Sequence, residues 1–378
     1  MEGTVRDGVL AIGARLLAAV VAEQGPGKTG PRVTCACGST ARFEGYRTKQ
    51  VQTVVGWISV RRAYYACAAC GHGHCPRDAT LGLARDSLSP GVRRLSGHLG
   101  ARLPFADAAA TLAATARVHL SASTMRSVTE AVGERHEAAV ASAIATAWRD
   151  GVPPVPGPGP ERLYVALDGV CILSTDGTGR EVKVGVVQPV RQTATGERRE
   201  AASYTAGLES AAAFGQRLAL EAHRRGAETA QQLAVLGDGA AGYPAGVIWN
   251  LADEHFPTAV QIVDWYHASE RVWTLGRALH GEGTTATATW VEQQLARLAL
   301  GQAATLATEW QALPGRGELA AIRDEQVTYF TNQAPRMAYD QYRAGGWDIG
   351  SGMVESACKH LIGAREKGPG CPLGHAVE

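Results

Sequence analysis

The sequence predicts an α/β protein of two or three domains, and three observations carry that expectation. From residue 161 onward three β-branched or apolar runs come first, and helix and strand patterns then alternate. The run VPPVPGPGP at 152–160 breaks the chain ahead of them, stiffened by prolines that fix their own dihedral. Before that break, two close cysteine pairs flank a stretch of alternating residues.

Composition narrows the class. The chain has 378 residues, 45% hydrophobic and 19% charged, as in a soluble globular protein with ample length for a core. The apolar stretch at 8–22 contains Arg15, falls short of the ~20 residues a bilayer span needs, and lacks a signal-peptide pattern. The expectation is a cytoplasmic, nucleoid-associated protein with no membrane partner, whose eight cysteines serve as metal ligands or free thiols rather than disulfides. The net charge of +1 is unevenly divided. Residues 1–150 hold 18 Lys and Arg against 11 Asp and Glu, and the remainder is net acidic. A basic front half fits nucleic acid, and an acidic back half fits a carboxylate site awaiting cations; an ordinary fluctuation of composition is the plainer alternative.

Taken in order, an N-terminal helix occupies residues 1–30, apolar over 8–23 and ended by Gly25-Pro26-Gly27. Residues 31–80 form a zinc-ribbon-like module, in which QVQTVVGWISVRRAYYAC alternates as a hairpin turning at Gly56. Cys35-Ala36-Cys37 and Cys67-Ala68-Ala69-Cys70 would place four thiolates around one structural zinc, with no open position for chemistry. The first knuckle has one intervening residue instead of the usual two. His72, His74 and Cys75 are spare ligands, and buried reduced thiols are the alternative.

Residues 81–150 are rich in Ala and Leu at helical spacing. Within 103–136 a helix, a short turn and a second helix capped by Ser121 or Ser123 resemble a helix-turn-helix, with Thr124, Arg126 and Ser127 facing a major groove. An ordinary helical hairpin fits the same residues. Arg93 and Arg94 are candidates for phosphate contacts, or for plain solvation.

After the 151–160 linker, strands are expected at 163–174, 181–189 and 198–205, a helix at 209–225, a strand at 231–237, a helix around 242–254 and a strand at 258–263. This order fits an RNase H-like sheet. A helical insertion at about 268–345 follows, and a Gly-Ser-Gly turn then opens the helix of Glu355. Asp168, Asp238 and Asp264 each stand at the end of an apolar run, in LYVALD, QLAVLGD and AVQIVD. Carboxylates at strand ends, joined by Glu355 from a distant helix, can hold two magnesium or manganese ions for phosphodiester cleavage. A lone Asp-Gly at a strand end is usually structural; the combination carries the metal reading. Asp264 is either a further ligand or the support of His267, and the one-turn spacing favours support. Lys359, one turn beyond Glu355, and Arg365 could bind DNA phosphates, with an ion pair to Glu355 as the alternative for Lys359.

Several of these stretches together resemble bacterial insertion-sequence transposases of the ISKra type, related to Mutator-like DDE transposases. The matching segments are GWISVRRAYYACAACG, the Leu-Asp-Gly strand, VLGDGAAGYPAGVIWNLADEHFPTAVQIVDWYHASERVW and DIGSGMVESACKHLIGAR, in collinear order over roughly residues 35–366. The resemblance implies an RNase H-like DDE catalytic domain at 161–366, a triad of Asp168, Asp238 and Glu355, and Asp264 with His267 in a D-x2-H motif. It further implies an enzyme that binds terminal inverted repeats, cleaves at them and transfers the 3′-hydroxyl to target DNA, acting as a homo-oligomer. The family normally continues past Arg365 with a basic-aromatic stretch and an apolar helix, whereas 367–378 changes composition abruptly, as a frameshifted tail would. A transposase relic that only binds DNA, and another RNase H-like nuclease, are the competing expectations.

Overall fold

The computed structural model describes residues 1–83, 86–152, 158–173, 177–193, 196–239, 247–350 and 352–363. Arg365, Ser351, the 367–378 tail and the centre of the linker lie outside the described residues. Two compact units divide the chain, Met1–Ala139 and Val140–Glu378. The division falls inside a helix rather than at the Pro/Gly linker, because Trp148 near that helix's end packs edge-on against His255 of the second unit at 6.2 Å.

The first unit begins with α1 (Glu2–Glu23), which starts earlier than the apolar pattern indicated. Ala14, Leu17, Ala18 and Val21 pack on Val51, Ile58 and Val60 of a four-stranded antiparallel sheet. That sheet is the meander β1 (Arg32–Thr34), β2 (Thr40–Thr53), β3 (Gly56–Cys67) and β4 (Gly73–His74). Its long hairpin turns at Val54-Val55, where Thr53 Oγ1 donates to the Gly56 carbonyl at 2.7 Å. Gly56 takes φ 126°, a conformation L side chains avoid, which explains the glycine after the turn. Four helices follow: α2 (Pro76–Thr80), α3 (Pro90–Gly100), α4 (Phe105–Ala116) and α5 (Ala122–Asp150). Ser89 caps α3 by accepting from the Val92 N–H, with Pro90 pre-set for the first turn. A small core of Val92, Ala108, Leu112, Val118, Met125 and Val128 joins α3, α4 and the start of α5.

The second unit is a mixed α/β layer. Its strands are β5 (Arg162–Leu173), β6 (Gly179–Thr193), β7 (Gly196–Arg199), β8 (Ser203–Gly207), β9 (Gln232–Gly237) and β10 (Val260–Val263). They order as β10-β9-β5-β6-β7, with β8 also on β6. Strands β5 to β8 pair antiparallel, whereas β9 runs parallel to β5, and β10 parallel to β9. The single strand expected at 198–205 is thus two short ones, β7 and β8, that pair with different parts of β6. Leu163 to Leu167 are all buried, so this stretch of β5 is covered on both faces, as a central strand with helical neighbours should be. Helices α6 (Ala211–Arg224) and α7 (Val247–His255) lie between the later strands in sequence. After β10 come α8 (Trp265–His280), α9 (Thr285–Ala299), α10 (Ala303–Gln311), α11 (Glu318–Gln333) and α12 (Tyr339–Ala344), where the sequence called for a wholly helical insertion. Finally α13 (Gly352–Ala357) runs into a π-helical turn at Cys358–Gly363. Trp249 is buried, and Trp265 and Trp273 are partly buried against the same core, as expected of packing residues. Among the described residues, no helix is long and apolar enough to cross a membrane.

Candidate metal centres

Strand register brings three of the four carboxylates to one end of the sheet. Ala166 pairs with Leu236 across β5 and β9, and Leu236 with Ile262 across β9 and β10. Two residues further along each chain stand Asp168, Asp238 and Asp264. A parallel ladder keeps register partners on one face, so the three positions share one sheet edge. The pairing of β5 with β9 ends at Ala166, and there β5 leaves its two-sided cover.

Asp168 is partly buried. Its Oδ1 accepts the Gly169 N–H at 2.7 Å, and its Oδ2 accepts the Cys358 thiol at 3.3 Å. Burial drives its carboxyl above the usual range; the Gly169 N–H and the Cys358 thiol oppose the shift, and the negative charge of Asp238 adds to it. The Cys358 thiol is in turn pushed up to about 12, by burial and then by the charge of Asp168. Cys358 was not singled out from the sequence, although it lies three residues after Glu355 and so on the same side of the helix.

Asp238 follows β9 directly, and the helical insertion fixes its backbone. Tyr329 of α11 donates its hydroxyl to the Asp238 carbonyl at 2.7 Å, and Gln333 donates to the Gly239 carbonyl at 3.0 Å. Asp264 is 1% exposed and caps α8. Its Oδ1 accepts the N–H groups of Tyr266 at 2.5 Å and His267 at 3.2 Å, and lies 3.7 Å from His267 Nδ1. The bond to Asp264 raises the His267 pKa against the effect of burial, and the charges of Asp264, Asp238 and Asp168 act in the same direction. Asp264 thus holds a helix start and favours the protonated form of the His267 imidazole, on which the charges of Asp238 and Asp168 also act.

Glu355 stands exposed on α13, which packs on β5 and β6. The segment ahead of α13 is tied to the Asp264 turn, because the Trp265 N–H donates to the Ile349 carbonyl at 2.8 Å. The carboxylates of Asp168, Asp238 and Glu355 are not drawn together into a closed cluster: among the described residues, the one group of His, Cys, Asp or Glu with all ligand atoms within 4.8 Å is the four cysteines. Oxygen donors of this kind suit a hard cation such as magnesium, and the like-charge crowding of Asp168 by Asp238 is what a cation would relieve. Lys359 is exposed and, among the described residues, forms no ion pair with Glu355.

The cysteine cluster comprises Cys35, Cys37, Cys67 and Cys70, as the spacing indicated. Sγ separations are 3.7 Å for Cys35 to Cys70 and 3.7 Å for Cys37 to Cys67. A tetrahedron of sulfurs about 2.3 Å from zinc has edges of about 3.8 Å, so the thiols have the spacing the ion requires. Both knuckles close alike: the Gly38 N–H donates to the Cys35 carbonyl at 2.9 Å, and the Gly71 N–H to the Cys67 carbonyl at 2.8 Å. Both glycines adopt positive φ, of 83° and 69°. The thiols share their protons unequally. Cys37 falls to about 6, chiefly through its bonds with Ser39. Cys70 is pushed up to about 12: the bond with the His72 backbone lowers it, but those with Cys37 and Cys67 outweigh that effect. His72, His74 and Cys75 stay outside the cluster; His74 stacks on Tyr65 instead.

The expected DNA contacts are placed unequally. Ser121 Oγ accepts the Thr124 N–H at 3.1 Å, the expected cap of the second helix. Thr124 and Arg126 are exposed on α5, but Arg126 pairs with Glu130 at 2.7 Å. Arg93 departs from its expected role. It is 7% exposed, pairs with Asp86 and donates to the Gly82 carbonyl at 3.1 Å, so it braces the turn before α3 rather than facing a phosphate. Arg94 beside it is exposed.

No family model matches this chain, and no curated protein matches it.

Proposed function

We propose that the chain is a DNA transposase of the DDE type, with Asp168, Asp238 and Glu355 as metal ligands in an RNase H-like core and one zinc held by Cys35, Cys37, Cys67 and Cys70. The observation that carries this reading is the register that aligns Asp168, Asp238 and Asp264 at one sheet edge. The strand order, with the antiparallel β5 to β8 followed by β9 and β10 in parallel, supports the core assignment. Two magnesium or manganese ions bound there would activate the attacking oxygen and stabilise the leaving one. Of the chain's own groups, Asp264 fixes the start of α8 and raises the pKa of His267. Tyr329 and Gln333 hold the peptide that carries Asp238.

The test is a strand-transfer assay with DNA from the ends of the element that encodes the chain. Joining of the 3′-hydroxyl to target DNA supports the transposase, and changing Asp168, Asp238 or Glu355 to Asn or Gln should abolish it without weakening end binding. Cleavage of branched DNA that lacks end sequences would identify another nuclease. One observation favours a second reading, a relic that binds ends without cutting: the Cys358 thiol occupies an Asp168 oxygen that a metal would need. Binding without cleavage at any magnesium or manganese concentration would establish that reading.

A further inference from the structure

Residues 24–80 hold eight Lys and Arg against two acidic residues, most of the positive excess of the first 150. Two of the cations are engaged within the module. Arg62 pairs with Asp78 at 2.6 Å, and Arg77 donates to Gln24 at 2.8 Å. Arg42, Arg47 and Arg61 are exposed along the β2–β3 ribbon, and among the described residues none of the three makes an ion pair.

Their surroundings differ from those of an ordinary solvated surface. The Arg47 guanidinium lies over the Tyr64 ring at 4.2 Å, and that of Arg61 over Tyr46 at 3.9 Å. Arg47 stands directly across the ladder from Arg62. The Asp78 carboxylate already offsets Arg62, so Arg47 is the exposed charge left on that face of the pair. A solvated face usually alternates in sign and often uses lysine. Here one acidic residue, Glu44, stands on the ribbon among five Lys and Arg, and two of the exposed arginines lie over tyrosine rings. A stacked guanidinium loses little freedom on binding and keeps its N–H groups for a phosphate.

We propose that the β2–β3 ribbon binds the phosphate backbone of duplex DNA as a ribbon lying in a groove, with Arg42 and Arg47 beside Tyr64 on one face and Arg61 beside Tyr46 on the other. The choice of DNA rests on the transposase reading above; the phosphate-binding surface does not. These residues lie apart from Arg94, Thr124 and Arg126, the contacts expected from the sequence. They add affinity that does not depend on base sequence.

The experiment measures binding of the full chain to a random-sequence DNA duplex of about 30 base pairs, as a function of salt. It compares the parent with the triple variant Arg42→Gln/Arg47→Gln/Arg61→Gln, after zinc content and thermal unfolding have shown the variant folded. Each lost phosphate contact should reduce the slope of log K against log salt by about 0.9, so the triple variant should lose roughly 2–3 in slope and at least about tenfold in affinity. A second variant, Tyr46→Leu/Tyr64→Leu, keeps every charge; it should weaken binding with little change in slope. A folded, zinc-loaded triple variant that binds with the parent's slope and affinity overturns the proposal, even if the chain proves to be a transposase. Loss of slope in a chain that never cleaves DNA upholds the ribbon and leaves the transposase reading to fail alone. Tighter binding of an RNA duplex of the same length by the parent would overturn DNA as the partner.

Discussion

Asp264 combines two roles that substitution can separate. As the cap of α8 it accepts two backbone N–H groups, and as an anion it raises the pKa of His267. Asp264→Ala removes both and should cost about 1–2 kcal/mol in chemical denaturation. Asp264→Asn keeps an oxygen for the cap but removes the charge. The His267 pKa is raised on folding, so its contribution to stability is complete below the unfolded value of about 6.5 and is lost as pH rises through the folded value. Asp264→Asn should lower the imidazole titration seen by NMR and flatten the fall in stability above pH 6.5. It should cut DNA cleavage less than Asp238→Asn does; equal loss, with metal binding gone in both, would make Asp264 a ligand. Asp168 has the same sign of linkage, beginning at a lower pH. Its raised pKa means the folded state holds the proton more tightly, so stability falls as pH climbs from the unfolded value, about 3.9, through the folded one. In metal-free protein at pH 7, Asp168→Asn should therefore raise the unfolding temperature, by roughly 2–4 °C for each kcal/mol relieved. Magnesium should raise the melting temperature of the parent and leave that of the variant unchanged.

The helical insertion acts on the site as an element. Its helix α11 reaches carbonyl oxygens 91 and 94 residues earlier in the chain, through Tyr329 and Gln333. Tyr329→Phe removes one neutral hydrogen bond, worth about 1 kcal/mol of stability, and frees the peptide of Asp238. Cleavage should slow about tenfold with end binding unchanged, because a small displacement of a metal ligand costs rate rather than affinity. An unchanged rate in single-turnover assays would show that α11 is packing alone. The helices of this insertion were legible from their spacing, as were the hairpin, the cysteine cluster and the strand ends before Asp238 and Asp264; Asp168, expected at a strand end, lies within β5, which continues to Leu173. The bracing was not, because a backbone carbonyl accepts from any donor and leaves no mark in sequence. Arg93 failed for a related reason: its exposure depends on where Asp86 and the Gly82 carbonyl fall in the folded chain, which helical periodicity does not encode. The third strand divides into β7 and β8 where the chain changes its place along β6, which the mostly polar residues 198–205 do not mark.

The whole molecule divides its stability unevenly. The sheet core beside the cysteines contains few buried side chains, whereas one large cluster runs through the second unit from β5 to α13. A small module of this kind depends on its metal. Calorimetry should resolve two transitions, and chelation should lower the first while leaving the second in place; a single transition that shifts with chelator would show the two units to unfold together. Cys67→Ser should abolish stoichiometric zinc and reproduce the effect of chelation. The insertion also imposes an order in time. Asp168, Asp238 and Asp264 leave the ribosome well before Glu355, which follows Asp264 by 91 residues. At about 5–20 residues per second that interval lasts roughly 5–20 s. On the proposed function, the nascent chain would carry the DNA-gripping ribbon during that interval but lack the glutamate, so a transposase translated beside its own gene would find its binding sites before it could cut them.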